Sequence, residues 1–467
     1  MGPRGGSLAS QAMLRIYDTA ARATRDFVPR TEGRVSIYVC GVTPYDAPHL
    51  GHGRTAVTFD VIRRYLMWRG FSVHFVTNVT DVEDKIIARA AAQGTTEPEL
   101  AKRYEDEYWS QLDRLGVLRP DDLPRATEYI AQMHQLIAEL IANGRAYVIE
   151  GSGVYFQVDT LPSYGSLSHR TLAQLLESAG ARVDIDDTKR SPVDFALWKA
   201  AKPGEPAWES PWGAGRPGWH IECSAMSLEI LGEGFDLHGG GSDLVFPHHE
   251  NEIAQAEGAG HAFANYWLHG GMVMVGREKM GKSLGNMRLL SDAIDAHGPR
   301  AFRWLVAQHH YRRELEINDD ALAAAKATID GYDALARRLR AVGAPAVSVG
   351  DVSRFRDTMD DDFDTPNAVA VIAGWRRSAN TALDEGRLDD AAADFAKVVD
   401  ALDALGITLD DGAAAGSDDV EIDALVRQRD QARAARDFAA ADAIRDELAA
   451  RSIVLEDTPT GTVWHRS

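Results

Sequence analysis

The chain has 467 residues, which is too long for one compact core, so we expect two to four domains. Apolar residues make up 45% and charged residues 26%, as in soluble globular proteins, and no apolar run is long enough to span a membrane. The formal net charge of −20 excludes a general polyanion-binding surface, so any RNA contact must use a local basic patch. The N-terminus lacks a secretory signal pattern, so we expect a cytoplasmic protein.

The first structured pattern follows residues 1–12, which are rich in Gly, Ser and Ala and are expected to be a flexible extension. Residues 34–55 read RVSIYVCGVTPYDAPHLGHGRT. Val35, Ile37 and Val39 alternate with polar or amphipathic neighbours, which predicts a short strand ending near residue 41. A loop with two prolines follows, and a helical pattern then begins at the HLGH sequence.

His49, Gly51 and His52 lie where this loop enters the helix. A helix N-terminus offers free backbone N–H groups and a positive dipole end, which favours phosphate binding. Glycine lets the backbone approach a ligand closely, and two histidines add donors. Taken alone, the tetrapeptide is equally compatible with two surface histidines near a helix start.

A second strand, predicted over 71–78, and a helix over 82–92 complete a βαβ unit with a parallel sheet. Ligands of such sheets bind beyond the carboxyl ends of the strands, where Cys40 and Thr80 are expected. Residues 97–150 read as helical and 151–168 as short strands and turns. Another strand is predicted at 235–238, before the glycine run 239–241.

The later part of the chain begins with predicted strands at 266–269 and 272–275, before a lysine-containing loop. From 292 to about 410 the pattern is almost entirely helical, and 412–419 has the composition of a flexible linker. Two helices, 420–436 and 438–451, and a small hairpin at 453–464 are predicted to end the chain.

The chain has only two cysteines, Cys40 and Cys223, both expected at strand–helix junctions. A disulfide is disfavoured in a cytoplasmic protein, and two inert buried thiols remain an alternative. His248 and Glu252 are four residues apart near a helix start, so they share one face. Two thiolates, an imidazole and a carboxylate form a complete zinc-ligand set, although the spacing does not exclude ordinary core residues.

Two motifs together resemble a known family. HLGH at 49–52 and KMGKS at 279–283 resemble the paired HIGH and KMSKS signatures of class I aminoacyl-tRNA synthetases. A lone KMGKS is often a solvated basic loop, but here the motifs and the GGGSD sequence at 239–243 occur in family order. Cys40, close to the first motif, points to the cysteinyl-tRNA synthetases. Gly281 stands where serine is usual, which leaves the lysines intact and changes the expected loop rigidity.

The resemblance spans residue 13 to the C-terminus and implies an α/β fold. It implies a Rossmann-like parallel-sheet catalytic domain at 13–109 and 216–291, split by a connective insertion at 110–215. All-helical and small C-terminal regions would follow: a stem-contact region at 292–345, a helical domain at 346–411, a linker at 412–419 and an anticodon-binding domain at 420–467.

The family implies ATP-dependent activation of L-cysteine to cysteinyl-adenylate, with Mg²⁺, and transfer to tRNA(Cys) by a monomer without an editing domain. One Zn²⁺ per chain would be held by Cys40, Cys223, His248 and Glu252. Zinc would select cysteine over serine, because a thiol ionises near pH ~8.5 and binds zinc better than a hydroxyl does.

The resemblance also assigns individual roles. The catalytic residues would be His49, His52, Lys279 and Lys282. The ATP-binding residues would be these four together with Gly51, Gly240, Asp243, Trp267 and Val275. The cysteine pocket would be Cys40, Asp46, Thr80, Trp219 and His238, with Asp46 on the ammonium group. The anticodon contacts would be Arg433, Phe438, Asp442, Asp457 and Trp464, near a basic patch of Arg427, Arg429, Arg433 and Arg436.

Two other functions fit parts of the sequence. A synthetase-like ligase could pass cysteine to an amino sugar in mycothiol synthesis, but such ligases lack the anticodon-binding end that 420–467 resembles. A non-catalytic RNA-binding paralogue is the other alternative, and the intact His49, His52, Lys279 and Lys282 argue against it. Cysteine-dependent ATP–pyrophosphate exchange would be absent from the paralogue and present in both enzymes.

Overall fold

The structure is a computed structural model that describes residues 13–180, 189–276, 278–280, 286–411, 419–451, 453–458 and 461–466. It divides into two compact units. The first runs to Ala325 and includes Ser353–Val369 and Ala404–Gly406, and the second contains Lys326–Val352, Ala370–Asp403 and Ile407–Ser467. No helix in the described ranges has both the length and the apolarity needed to cross a membrane.

The first unit opens with a hairpin and a βαβ unit. Its elements are β1 (Arg15–Asp18), β2 (Ala23–Asp26), β3 (Arg34–Val42), α1 (Leu50–Trp68), β4 (Ser72–Val79), α2 (Asp84–Gln93) and α3 (Glu97–Arg114). β3 and β4 pair in parallel, with Ile37 opposite Phe75. Every residue from 35 to 39 is buried, including the predicted Val35, Ile37 and Val39, as expected of a parallel strand covered on both faces. The predicted strand–helix–strand order is therefore confirmed.

The next segment differs from its predicted helical character. It contains α4 (Ile130–Ala142), β5 (Ala146–Ile149), β6 (Gly153–Phe156), α5 (Leu172–Gly180), β7 (Phe195–Ala200) and β8 (Gly215–Pro217). The prediction of helix throughout 97–150 is wrong, because α3 ends at Arg114 and β5 is a strand. Pro120 and Pro124 lack the backbone N–H that a continuing helix needs. Strands β5–β8 form an antiparallel sheet in that order.

The parallel sheet is completed by α6 (Trp219–Leu231), β9 (Leu237–Gly241), α7 (Glu250–Ala259) and β10 (Tyr266–Gly270). Its strand order is β10-β9-β3-β4, and every neighbouring pair is parallel. The glycine run 239–241 lies within β9, whereas the sequence places it after the strand. Packing explains the glycine at the first of these positions, since a Cβ on Gly239 would overlap the ring of Phe59.

The rest of the first unit begins with β11 (Val273–Val275), β12 (Glu278–Lys279), α8 (Leu290–His297), α9 (Pro299–Ala307) and β13 (Leu315–Glu316). β13 interrupts the predicted helical region because it pairs in parallel with β11. Helices α10 (Asp319–Ala341), α11 (Ser353–Met359), α12 (Thr365–Asp384) and α13 (Leu388–Ala404) then follow along the chain.

The C-terminal part of the second unit contains α14 (Asp419–Ala434), α15 (Phe438–Ala450), β14 (Ile453–Thr458) and β15 (Gly461–Arg466). The two strands pair antiparallel, with Leu455 opposite Trp464, so the predicted hairpin is confirmed. Ile422, Val426 and Leu448 form a small buried core with Ile453. This core joins the two helices to the hairpin.

The packing of β3 against β4 can be tested at Gly41. Its N–H donates to the side-chain oxygen of Asn78 at 2.8 Å, and an added Cβ would overlap the Asn78 carbonyl oxygen. We expect Gly41→Ala to lower the free energy of unfolding by about 1–3 kcal/mol, the usual cost of overpacking. The matched control is Gly270→Ala in β10, where the nearest atoms lie 3.8 Å from such a Cβ. Equal denaturant midpoints for the two variants would contradict this packing.

Candidate metal centre and active site

Four side chains that could bind a metal meet at the carboxyl edge of the parallel sheet. Cys40 lies near the end of β3, Cys223 on α6, His248 just before α7 and Glu252 in the first turn of α7. One ligand atom from each lies within 4.8 Å of all the others. Cys223 is the fifth residue of α6, so its predicted place at a strand–helix junction is off by about one turn.

The distances within this cluster suit a shared ligand. The Cys40 Sγ lies 3.6 Å from the Cys223 Sγ and 3.4 Å from Glu252 Oε1. His248 Nε2 lies 3.1 Å from the same carboxylate oxygen. Cys223, His248 and Glu252 are almost completely buried, while Cys40 is partly exposed. The cluster is therefore closed on one side and accessible near Cys40.

The electrostatics of the cluster favour a thiolate and a carboxylate. The hydrogen bond from Cys40 lowers the pKa of Cys223 to about 6, whereas burial raises the pKa of Cys40 well above its ordinary value. Burial alone would raise the pKa of Glu252, but His238 and His248 hold it well below the usual range. Burial would lower the pKa of His248, yet Glu252 and Cys223 raise it to about 10. These shifts pair a thiolate at Cys223 and a carboxylate at Glu252 with a protonated His248, so a divalent cation would bind here by displacing the protons of His248 and Cys40.

A second group of potential ligands shares two members with the first. Cys40, His238, His249 and Glu252 also have ligand atoms within 4.8 Å of one another. His238 Nε2 is already 2.8 Å from Glu252 Oε2, and this group offers one thiol where the first offers two. The first group therefore fits a thiophilic ion such as zinc better, and His238 serves to hold the Glu252 carboxylate.

Three further histidines orient this region, and no strong sequence pattern points to them: His249 and His269 are buried, and His220 is partly buried. His220 Nδ1 lies 2.9 Å from His248 Nδ1, on the side of the ring away from Glu252. His249 Nδ1 lies 2.8 Å from His269 Nε2. The adjacent histidines 248 and 249 were a visible signal, but the partners lie on other elements and become apparent only in the fold.

Of the five predicted cysteine-pocket residues, three lie beside the cluster and Cys40 is part of it. The ring of Trp219 lies 4.2 Å from that of His248, centroid to centroid, and His238 bonds to Glu252. Thr80 is buried, and its hydroxyl accepts a hydrogen bond from the side chain of Asn78 at 3.2 Å.

The Asn78 side chain contacts both Thr80 of this pocket and Cys223 of the metal cluster. Asp46 instead forms an ion pair with Arg89. The Asn78 Oδ1 lies 3.7 Å from the Cys223 Sγ. Asp46, predicted to bind the ammonium group, pairs with Arg89 at 3.3 Å. The role of Asp46 stays a prediction.

His49 and His52 cap the helix that they begin. The His49 side chain accepts from the N–H of His52 at 3.4 Å, and the His52 ring accepts from the N–H of His49 at 3.2 Å. The two rings stack at 3.7 Å between centroids. The Met280 side chain lies 3.6 Å from the position of a Cβ on Gly51, so the described part of the lysine loop reaches the HLGH motif.

The other predicted ATP-binding residues differ from one another in exposure and in contacts. Asp243 is exposed just after β9, Gly240 is buried in β9, and Val275 is half-buried in β11. The Trp267 ring is buried against His238, and both its backbone N–H and its carbonyl are bonded to residues 18–19, which disfavours an adenine contact. The backbone of Lys279 lies in β12, and Lys282 lies outside the described residues.

The predicted anticodon residues all lie in the second unit. Phe438 begins α15 with 63% of its surface exposed, and Arg433 is exposed near the end of α14. Asp442 pairs with Arg445 at 2.9 Å. Asp457 lies in β14, and Trp464 in β15 packs partly against the small core. Of the expected basic patch, Arg429 is instead buried and donates to the Thr462 hydroxyl at 2.8 Å, because the hairpin covers it.

Comparisons with known proteins agree with this geometry. Residues 26–327 match the family model described as tRNA synthetases class I (C) catalytic domain. Residues 354–410 match the DALR domain, and 419–464 match the cysteinyl-tRNA ligase anticodon binding domain. A cysteine–tRNA ligase of Vibrio atlanticus is 48% identical over 463 residues, which cover 97% of this chain and all of that protein. The chain belongs to the cysteine–tRNA ligase family.

Other relatives of this chain are also cysteine–tRNA ligases. The cysteine–tRNA ligase of Pectobacterium carotovorum subsp. carotovorum is 48% identical and cysteine–tRNA ligase 1 of Photobacterium profundum is 49% identical, each over 97% of this chain and all of theirs. Among solved structures, methionyl-tRNA synthetase of Mycobacterium tuberculosis in complex with methionyl-adenylate superposes with a TM-score of 0.58 at 17% identity, over 80% of this chain and 90% of that one. This likeness confirms the class I fold, and with it the predicted α/β fold class with helical C-terminal regions.

Metal analysis tests the cluster directly. We expect the purified family member to retain about one divalent ion per chain, and Cys223→Ala and His248→Ala to lose most of it, because each removes one of four ligands. Elemental analysis would measure the content, and the cobalt-substituted protein would show thiolate charge-transfer absorption. The control His261→Ala removes a histidine that pairs with Glu139 and Glu233 outside the cluster. Full metal content in Cys223→Ala would contradict the assignment.

Proposed function

We propose that this protein activates L-cysteine with ATP and transfers the cysteinyl group to tRNA(Cys). The observation that carries the proposal is the two-thiol cluster of Cys40, Cys223, His248 and Glu252, within 4.8 Å, at the edge of a class I catalytic sheet. The HLGH motif begins α1 at the same carboxyl edge, immediately after the loop that follows Cys40. An amino-acid site and a phosphate site are thus neighbours.

Zinc is the metal that this donor set fits best. Cys40 and Cys223 would bind it as thiolates, His248 through its Nε2 and Glu252 through Oε1, while His220 and His238 orient the last two. When bound, zinc would supply a soft Lewis-acid position that takes the thiolate of cysteine in preference to the hydroxyl of serine. Burial of Cys223, His248 and Glu252 keeps water from competing at the back of the site.

The first chemical step joins the cysteine carboxylate to the α-phosphate of ATP. One carboxylate oxygen forms a bond to the α-phosphorus, and the bond from that phosphorus to the departing pyrophosphate oxygen breaks. Such a step needs alignment and charge neutralisation more than covalent catalysis. The N-terminus of α1, with His49, His52 and the backbone at Gly51, would hold the phosphates, and Lys279 and Lys282 would neutralise developing charge, with Mg²⁺ accompanying ATP.

In the second step a ribose hydroxyl at the tRNA end forms an ester bond to the cysteinyl carbonyl carbon, the bond from that carbon to the AMP phosphate oxygen breaks, and AMP and the hydroxyl proton are released. The match of residues 419–464 to an anticodon binding domain supports tRNA as the acceptor and argues against an amino sugar. The exposed Phe438 offers an aromatic face on which a single-stranded base could stack, with Arg433, Asp442, Asp457 and Trp464 as candidate partners.

The domain boundaries are also part of the proposal. We keep the catalytic domain at 13–109 and 216–291, the connective insertion at 110–215, the stem-contact region at 292–345, the helical domain at 346–411, the linker at 412–419 and the anticodon-binding domain at 420–467. The antiparallel sheet β5–β8 falls inside the proposed insertion. The cytoplasmic location and the monomeric state also stay predictions.

Amino-acid selectivity tests the zinc proposal. We expect ATP–pyrophosphate exchange with cysteine to exceed exchange with serine by roughly 10⁴-fold in kcat/KM, since a site built around a substrate's polar group rejects the analogue that cannot engage it. In Cys223→Ala the ratio should collapse, through loss of the cysteine rate. Exchange with serine comparable to that with cysteine in the wild type would contradict zinc-based selection.

The tRNA contact is tested at Phe438. We expect Phe438→Ala to lower kcat/KM for tRNA(Cys) charging by about 5- to 100-fold, as for the loss of one base stack, and to leave cysteine-dependent pyrophosphate exchange unchanged. Val454→Ala is the control, since Val454 is also exposed in the same unit, on β14. Unchanged charging by Phe438→Ala would remove this residue from the proposed anticodon contact.

A further inference from the structure

Glu222 is a buried carboxylate beside the metal cluster that lacks a hydrogen-bond donor. Only 1% of its surface is exposed, and neither carboxylate oxygen has a hydrogen-bond partner among the described residues. The Thr80 hydroxyl is near enough to favour the ionised form of the carboxyl, but it does not reach either oxygen with hydrogen-bond geometry. A buried carboxylate is costly unless a cation or donors compensate it, so the site is incomplete without a ligand.

Two other carboxylates of this unit, Asp81, which is partly buried, and Glu250, which is buried, are satisfied by the protein. Asp81 accepts from the backbone N–H of Thr127 at 3.0 Å and from its hydroxyl at 2.6 Å. Glu250, which is as buried as Glu222, accepts from three backbone N–H groups within residues 165–168 at 2.7–3.4 Å. These carboxylates have structural roles. Glu222 differs from both because neither of its oxygens accepts a hydrogen bond from the part of the chain that the structure describes.

The position of Glu222 places it next to the predicted amino-acid pocket. It lies on α6 three residues after Trp219, a spacing that puts these two side chains on one side of the helix, and it directly precedes Cys223 in the sequence. Both of its oxygens are buried acceptors that have no hydrogen-bond partner within the described ranges of the chain. A ligand that brings N–H donors and a positive charge would therefore compensate this carboxylate.

Under the proposed function, the substrate itself supplies such a cation. Cysteine carries a thiol, a carboxylate and an ammonium group, and the ammonium has three N–H donors and a positive charge. Asp46, the candidate from sequence for this contact, already faces the guanidinium of Arg89 at 3.3 Å. We infer that Glu222 binds the α-ammonium group of the amino-acid substrate while the thiol occupies the Cys40–Cys223–His248–Glu252 cluster. This inference rests on the proposed function and adds a specificity-determining residue to it.

Three thiols that differ in their charged groups test the inference. Cysteine has both the ammonium and the carboxylate, cysteamine keeps only the ammonium, and 3-mercaptopropionate keeps only the carboxylate. All three carry the thiol, so its contribution is common to the series. In Glu222→Gln we expect the KM for cysteine in pyrophosphate exchange and the inhibition constant of cysteamine to rise about 10- to 100-fold, as for loss of a charge-assisted hydrogen bond. The inhibition constant of 3-mercaptopropionate should change less than about 2-fold, because it has no ammonium to lose.

The controls separate this role from a structural one. Glu250→Gln removes a buried charge that the backbone satisfies, so it should lower stability and leave the affinity ratio of cysteamine to 3-mercaptopropionate unchanged. The metal content of Glu222→Gln should equal that of the wild type. Equal weakening of all three thiols, an unchanged KM for cysteine, or loss of the metal would each overturn the inference.

Two further outcomes keep the result interpretable. Glu222→Asp shortens the side chain by one methylene and keeps the charge. It should weaken cysteine and cysteamine relative to 3-mercaptopropionate, but by less than Glu222→Gln does. If neither variant folds, Glu222 is a structural residue and the inference is wrong. If wild-type protein shows no cysteine-dependent exchange, the proposed function fails. If wild-type exchange is normal but Glu222→Gln weakens the binding of all three thiols equally, only the inference about Glu222 is wrong and the proposed function stands.

Discussion

The catalytic unit depends on how the Glu252 carboxylate is compensated. This carboxylate is completely buried, with His248 3.1 Å from Oε1 and His238 2.8 Å from Oε2. The Cys40 thiol also contacts Oε1, at 3.4 Å. A buried charge of this kind is tolerated only when its partners are fixed in place, and these partners come from β3, β9 and the start of α7. The ion cluster therefore requires the sheet to be correctly assembled.

The same requirement explains the small residues around the site. Gly239 in β9 leaves room for the ring of Phe59 on α1, and Gly41 in β3 meets the Asn78 backbone. The Asn78 side chain then bonds to the Gly41 N–H and to Thr80. Close packing at Gly41 sets the distance between β3 and β4, and packing at Gly239 sets the distance between β9 and α1. The positions of the proposed metal ligands thus rest on contacts made by residues that would not touch the metal.

Much of this arrangement could be predicted from the sequence, because its signals are local. The alternation around Ile37 predicts β3, and the four-residue spacing of His248 and Glu252 places both on one face. The composition of residues 97–150 predicts helix throughout, but Pro120 and Pro124 interrupt this segment and the chain forms α3, α4 and β5. The roles of Glu222, Glu250 and His269 have no local signature. Residues distant in the chain decide the surroundings of each glutamate. They supply three N–H donors to Glu250, whereas Glu222 has no hydrogen-bond partner among the residues that the structure describes.

The caps at the HLGH motif explain how the proposed phosphate site would stay ordered without its ligand. The first N–H groups of a helix have no partner within the helix, and at α1 the His49 ring accepts the N–H of His52 while the His52 ring accepts the N–H of His49. Side-chain caps of this kind are worth about 0.5–2 kcal/mol, and the 3.4 Å bond at His52 is at the long end of the range. Phosphate oxygens are stronger acceptors than an imidazole and can take over that N–H, which releases the ring of His49 as a further donor. The histidines thus hold the helix end in its binding conformation at a cost small enough for the nucleotide to offset.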